Sequence, residues 1–240
     1  MRTTKIEWTD KTWNPITGCS KKSTGCQHCY AEVMSRRLKA MGLSKYANGF
    51  SVTLHYELIN EPYKWKQSHN IFVCSMSDIF HEDVPFDFVD NMFDVIRKTD
   101  QHRYQILTKR AERMAEYFET REIPDNVWLG VTVEAQSSRF RIDYLRNLQA
   151  SVKFLSCEPL VEDLGELDLT GIDWVIVGGE SGPHARPMQE DWVLKVRKQV
   201  EEQKARFFFK QWGTWGADGI KRNKHANGKL LKGEVIQEMP

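Results

Sequence analysis

Three of the chain's five cysteines, Cys19, Cys26 and Cys29, fall within eleven residues in the pattern Cys-x6-Cys-x2-Cys. Thiolates are soft ligands suited to zinc or iron–sulfur clusters, and Cys-x2-Cys sets two sulfurs on one ion or one cluster edge. A structural zinc ion wants a fourth donor with close spacing of its own. His28 stands between two of the cysteines, where its ring is expected to point away. A trio without an evident fourth suits a cubane with one iron left open for a substrate or cofactor. A helix expected from Tyr30 would aim its N-terminal dipole at the negative charge of such a cluster. The alternative is a zinc knuckle completed by His28, Cys74 or Cys157. Cys74 and Cys157 stand alone in apolar, strand-like runs and read as small buried residues. An odd cysteine count in a chain of 240 residues does not suggest a disulfide framework.

The elements that must position these residues are legible from residue 71 onward. Short β-branched and aromatic runs, 71–75, 104–108, 127–133, 152–156, 174–177 and 206–210, predict strands. Between them, 86–98 (Phe86, Val89, Phe93 and Ile96 on one face), 111–118, 137–148 and 192–203 predict helices. That cadence is the mark of βαβ units and a parallel sheet, and strands apolar throughout suit a sheet covered on both faces. Before residue 71, 8–15 reads as extended, 30–41 as a helix with Met34, Leu38 and Met41 facing a core, 52–54 as a short strand and 57–66 as a broken helix. With no linker or repeat, 1–240 reads as a single domain, its cysteine loop at 13–30 and an irregular tail at 213–240.

Each expected strand runs into polar residues: Ser75, Ser77 and Asp78; Thr108, Lys109 and Arg110; Thr132 and Glu134; Cys157 and Glu158; Gly178, Gly179 and Glu180; Lys210 and Gln211. In parallel α/β folds the carboxyl ends of the strands are where ligands bind. Six such ends, with Asp78, Glu134, Glu158 and Glu180 facing Lys109 and Lys210, predict a charged pocket, although polar residues open most βα loops anyway. Gly178 and Gly179 read equally as a tight turn needing positive φ, and Glu180 as a loop salt bridge.

Lys plus Arg number 34 and Asp plus Glu 33, so no global field advertises nucleic acid or an anionic membrane. The polar stretch 1–10 and the lack of a long apolar run predict a soluble, cytoplasmic protein without a membrane partner. In the tail, Lys221, Arg222, Lys224, Lys229 and Lys232 follow Trp212 and Trp215. That is a pattern open to single-stranded nucleic acid, though such a run is more often a solvated tail. No His-x3-His pair supports a zinc hydrolase.

The run Trp13-Asn14-Pro15-Ile16-Thr17-Gly18-Cys19 with Ser23-Thr24-Gly25-Cys26-Gln27-His28-Cys29-Tyr30-Ala31 resembles the phage-associated three-cysteine-motif family, regarded as radical-SAM-like. The resemblance continues through Ser75 to His81, Leu107 to Arg110, Val127 to Val131, Glu158 to Leu160, Val175 to Pro183 and Phe208 to Gly213. It implies an α/β fold, a partial (β/α) barrel of radical SAM type with parallel strands and outer helices. It also implies a 4Fe-4S cluster on Cys19, Cys26 and Cys29 and S-adenosylmethionine (SAM) beside it, cleaved reductively, with an electron donor as partner. The substrate is unknown, with nucleic acid or a nucleotide among the candidates. The cofactor-binding set it implies is Tyr30, Ser75, Ser77, Asp78, Thr108, Glu134, Glu158, Glu180 and Lys210. Ser77 and Asp78 are matched to the methionine amino group, Glu134 and Glu158 to the ribose, and Lys109 and Lys210 to a carboxylate or substrate phosphate. Lys109, Cys157 and Glu158 are the catalytic candidates, Cys157 as hydrogen donor. Two departures from the radical SAM pattern stand out: the first gap is six residues where Cys-x3-Cys-x2-Cys has three, and Gly178-Gly179-Glu180 follows a late strand. A non-catalytic iron–sulfur or zinc protein binding nucleic acid or a protein partner is the second reading.

Overall fold

The computed structural model describes residue 4 and residues 6–240, so part of the polar N-terminal stretch read above, residues 1–3 and 5, lies outside the described residues. The chain divides into two compact units, the first built from 1–22, 29–130 and 148–151, the second from 23–28, 131–147 and 152–240.

In the first unit, β1 (Lys11–Trp13), β4 (Asn70–Val73) and β5 (Arg103–Thr108) pair in parallel, with Trp13 opposite Val73 and Val73 opposite Ile106. A small antiparallel pair, β2 (Ile16–Thr17) and β3 (Thr53–Leu54), flanks the cysteine loop. β4 stops two residues earlier than its apolar run because Cys74 adopts φ 58°, a left-handed conformation no strand can hold. The helices are α1 (Tyr30–Ala40), α2 (Phe86–Lys98) and α3 (Ala111–Phe118). Asp87 in the first turn of α2 and Arg97 and Lys98 in its last complement the helix dipole. Phe118 meets Phe80 and Phe93 edge-to-face, and Tyr117 packs tilted against the same two rings. The expected broken helix at 57–66 is two 3-10 turns, Tyr56–Leu58 and Glu61–Lys64.

α1 departs from its reading. Ala31 and Ser35 are buried and Leu38 packs beside them, but Met34 and Met41 are exposed. The small residues settle closest to the core, and the long thioethers turn outward.

β6 (Val127–Thr132), wholly buried, carries the chain from the first unit into the second. There β7 (Val152–Cys157), β8 (Trp174–Gly178) and β9 (Arg206–Gln211) pair in parallel, with Phe154 opposite Trp174 and Trp174 opposite Arg206. The helix expected over 137–148 shortens to α4 (Arg141–Arg146), because the Ser138 hydroxyl accepts from the N–H groups of Glu134 and Ala135 and fixes a 3-10 turn ahead of it. α5 (Glu190–Glu202) packs against β9. The tail is irregular as expected, apart from the four-residue α6 (Lys224–Asn227) and a return onto the edge of β9, where Phe209 donates to Ile236 and Glu238 to Phe207. That return covers a strand edge that would otherwise be open to pairing. β1 and β4–β9 are thus seven parallel strands of the partial (β/α)-barrel type with helices in the connections, the class expected. Among the described residues no helix is long and apolar enough to cross a membrane.

Candidate functional site

Cys19, Cys26 and Cys29 form no disulfide and are half-buried, whereas Cys74 and Cys157 are fully buried. Burial pushes the Cys74 thiol up to about 12 and raises that of Cys157 further, with Glu158 and Glu134 adding to the second shift. Both therefore stay protonated and behave as the small apolar residues expected of them. Among the described residues, no three His, Cys, Asp or Glu side chains are grouped to hold a metal ion. The donor chemistry is that of a soft metal group: three accessible thiols in one loop, with no disulfide consuming them.

In the first unit, Cys19 lies under Arg110. Its buried guanidinium donates to Cys19 Sγ at 3.7 Å and Ser20 Oγ at 2.9 Å, while Asp78 at 3.4 Å and Glu82 at 2.5 Å hold it from the other side. Arg110 holds the Glu82 carboxyl down to about 2. Asp78 also accepts from Thr108 Oγ1 (2.7 Å) and the Lys109 N–H (3.0 Å). Two residues expected to take SAM, Asp78 and Thr108, are therefore brought together, but as the brace of Arg110. Ser77 Oγ donates to the Ile16 carbonyl and Ser75 Oγ to Asn14 Oδ1. The Tyr30 hydroxyl donates to the Ser75 carbonyl, with its ring exposed. Cys29 is the N-cap of α1, so the positive end of that helix sits at a candidate thiolate ligand. A cavity of about 570 Å³ opens beside Cys19, lined by Ser20, Arg36, Phe50, His81 and Asp83 among others, and is of ligand size.

The second unit holds the middle of the cysteine loop, residues 23–28. Ser23 Oγ donates to Glu134, whose carboxylate also receives Arg141 Nη1 at 2.9 Å. Glu134 and Arg141 are 0 % and 2 % exposed, a buried ion pair at the end of β6. Gly25 lies so close to Glu134 that an added Cβ would sit 2.8 Å from Cγ. Arg186 chelates Glu180 through Nε (2.9 Å) and Nη2 (2.7 Å), and the same Nη2 donates to the Thr24 carbonyl at 3.1 Å. Glu134 and Glu180, expected as SAM ligands, are thus occupied by arginines and by the loop. Glu180 bears out the salt-bridge reading, but Gly178 and Gly179 do not need positive φ. Gly179 is a glycine for space, since a Cβ there would fall 1.9 Å from the Trp212 carbonyl oxygen, whereas one on Gly178 would make only ordinary contact with Glu158 and Lys210.

Glu158 and Lys210 form an ion pair, as their facing strand ends suggested, and Glu158 Oε1 is buried without a hydrogen-bond partner. In the tail, Lys221 reaches the Pro183 carbonyl and the Trp215 ring, Arg222 pairs with Asp218, Lys229 with Gln237 and Lys232 with Glu190. Trp212 is buried with its Nε1 on the Leu230 carbonyl, so it is no platform for a base.

Arg141 and Arg186 carry no motif signal in the sequence, and Arg110 stands out there only as part of a strand end. Arg141 follows Glu134 by seven residues and Arg186 follows Glu180 by six, a faint local signal, whereas Arg110 stands 32 residues from Asp78 and has no such signal.

A model of one protein family matches residues 3–240. The chain belongs to the DUF5131 family, described as a protein of unknown function. No curated protein matches this DUF5131 member. Among solved structures, it is similar to spore photoproduct lyase complexed with dinucleoside spore photoproduct, at 11 % identity and TM-score 0.42, over 84 % of this chain and 65 % of that one. A cysteine-to-serine mutant of the same lyase matches at 13 % identity and TM-score 0.48, over 97 % and 75 % of the two chains. A tyrosine-to-phenylalanine mutant matches at 12 % and 0.44 over the same shares. The DUF5131 chain therefore spans 65 % of the length of the complexed lyase.

Proposed function

We propose that this DUF5131 protein is a radical-SAM-like enzyme that holds a 4Fe-4S cluster on Cys19, Cys26 and Cys29 and binds SAM beside it. The observation that carries the reading is the loop itself: three half-buried thiols in no disulfide, with a buried arginine donating to one of them and a ligand-sized cavity at its side. Cluster and SAM together supply one-electron cleavage of a sulfonium and hydrogen-atom abstraction from a substrate.

The chain's own residues supply position and charge. Arg110, fixed by Asp78 and Glu82, places a guanidinium charge at Cys19 and favours the thiolate that a metal group requires. Glu134 and Arg186 seat the residues between Cys19 and Cys26, so the six-residue first gap is a pinned turn and not slack. Glu158 Oε1, a buried acceptor without a donor, suits a ribose hydroxyl of SAM, and Lys210 beside it suits a carboxylate or phosphate. Of Ser77 and Asp78, expected at the methionine amino group, Asp78 is taken by Arg110, so Ser77, with Ser75 beside it past the end of β4, is the candidate for that end. Cys157 and Lys109 remain candidates for the chemistry on the substrate.

Anaerobic purification with iron and sulfide analysis, then incubation with SAM and dithionite, tests the reading. About four irons per chain and formation of 5′-deoxyadenosine are expected. Stoichiometric zinc in place of iron, or a full cluster that leaves SAM intact, would overturn it.

A further inference from the structure

α1 seats one narrow side on its unit and leaves another bare. Ala31 and Ser35 are buried, but Tyr30, Val33, Met34 and Met41 are between 41 % and 67 % exposed. Steps of three, four, seven and eleven from Tyr30 bring Val33, Met34, Arg37 and Met41 onto its face of the helix. Single exposed apolar residues need no explanation, whereas a contiguous helical stripe of them marks a contact surface.

The charge around the stripe says what the contact is with. Lys21, Lys22, Arg36, Arg37 and Lys39 are all exposed. The one acid in 19–41 is Glu32, half-buried and engaged by Arg36 at 2.5 Å and Lys21 at 3.7 Å, a contact that ties the cysteine loop's lysine to α1. Five cations against one acid give this segment +4, while the whole chain is +1, so the remaining residues sum to −3. An apolar centre of Met, Val and Tyr with arginine in it and a basic rim has the make-up of a protein interface. Single-stranded nucleic acid is held by rows of stacking aromatics, and this face has only Tyr30.

We infer that this face of α1 docks an acidic protein that carries one electron at a time and delivers it to the cysteine loop, an inference that rests on the cluster reading above. Cys29 caps α1, so the whole stripe lies within about 18 Å of that ligand along the helix axis at 1.5 Å per residue. In the transfer, a flavin hydroquinone anion of the partner is oxidised to its neutral semiquinone and the cluster is reduced by one electron. No bond forms or breaks, and no proton moves.

The test uses the cluster-loaded full chain and flavodoxin hydroquinone, a small acidic flavoprotein, as the probe. Stopped-flow loss of the cluster's visible absorption follows reduction by flavodoxin and, separately, by dithionite. Val33→Glu, Met34→Glu and Arg37→Glu lie on exposed positions and should retain wild-type iron content. Each is expected to slow reduction by flavodoxin about tenfold or more, with the dithionite rate unchanged, and added salt is expected to slow the wild type with flavodoxin alone. Equal flavodoxin rates in all variants would overturn the assignment. So would loss of binding to a single-stranded oligonucleotide with flavodoxin reduction intact, which would give the face to nucleic acid. Absence of iron and sulfide from the wild type would instead sink the cluster reading, before any variant is made.

Discussion

Gly25→Ala asks whether the cysteine loop is truly seated on Glu134. The backbone there is a 3-10 turn, and Gly25 is not among the positive-φ glycines, so its local conformation accepts any residue. On propensity alone, alanine in a helical turn is favoured over glycine by about 0.8–1.0 kcal/mol, and the variant should be the more stable protein. The tertiary structure reverses that sign. The new Cβ would meet Glu134 Cγ at 2.8 Å, Cδ at 3.1 Å and Cβ at 3.3 Å, and Glu134 has no exposure and is held by Arg141 at 2.9 Å. Either the loop lifts, giving up the Ser23 and Thr24 contacts, or Glu134 moves against its buried partner. Overpacking of this kind costs about 1–3 kcal/mol, which is roughly a 5- to 150-fold loss in the population of the seated loop. Alkylation of Cys26 in the metal-free protein reads that population directly, and urea unfolding reads the global change. The expected result is faster alkylation by about that factor with a lowered unfolding midpoint. A variant as stable as wild type or more so, alkylated at the same rate, would show that Gly25 does not rest on Glu134.

Three further outcomes follow from the same contacts. Arg110→Gln leaves Asp78 buried without its charge partner, and urea unfolding should show a loss of about 3–5 kcal/mol, together with poorer retention of iron on gel filtration. Lys210→Met removes the partner of Glu158 and is expected to weaken binding of SAM about tenfold or more in calorimetric titration, with unchanged affinity counting against a ligand site there. His102 is fully buried, stacks on His69 at 5.8 Å between centroids and has its imidazole pKa lowered by desolvation. The unfolded chain therefore takes up protons near its ordinary pKa while the native chain does not, so stability is full above about 6.5 and falls as pH drops below it. Urea midpoints at pH 7.5 and 5.5 should show that fall, and His102→Gln should lessen it without abolishing it, because burial lowers His55, His69 and His81 in the same direction.

What the amino-acid order determined by itself was periodic. The runs 86–98 and 111–118 are helices to the residue, and the apolar runs from 71 to 210 are strands within a residue or two of their expected ends, because burial periodicity is written locally. The grouping of Cys19, Cys26 and Cys29 apart from Cys74 and Cys157 was equally local, and burial divides them the same way. Only the tertiary structure decided which carboxylates an arginine takes. Asp78, Glu134 and Glu180 looked as available as Glu158, and each proves to be taken by an arginine placed by the fold: Arg110 for Asp78, Arg141 for Glu134 and Arg186 for Glu180. A buried carboxylate must find a charged partner, and which arginine reaches it depends on how strands and helices pack, not on its place along the chain. α1 shows the same limit. Its period was right, but which flank faces the core was settled by how closely Ala31 and Ser35 let the helix approach, leaving Met34 and Met41 on the outside.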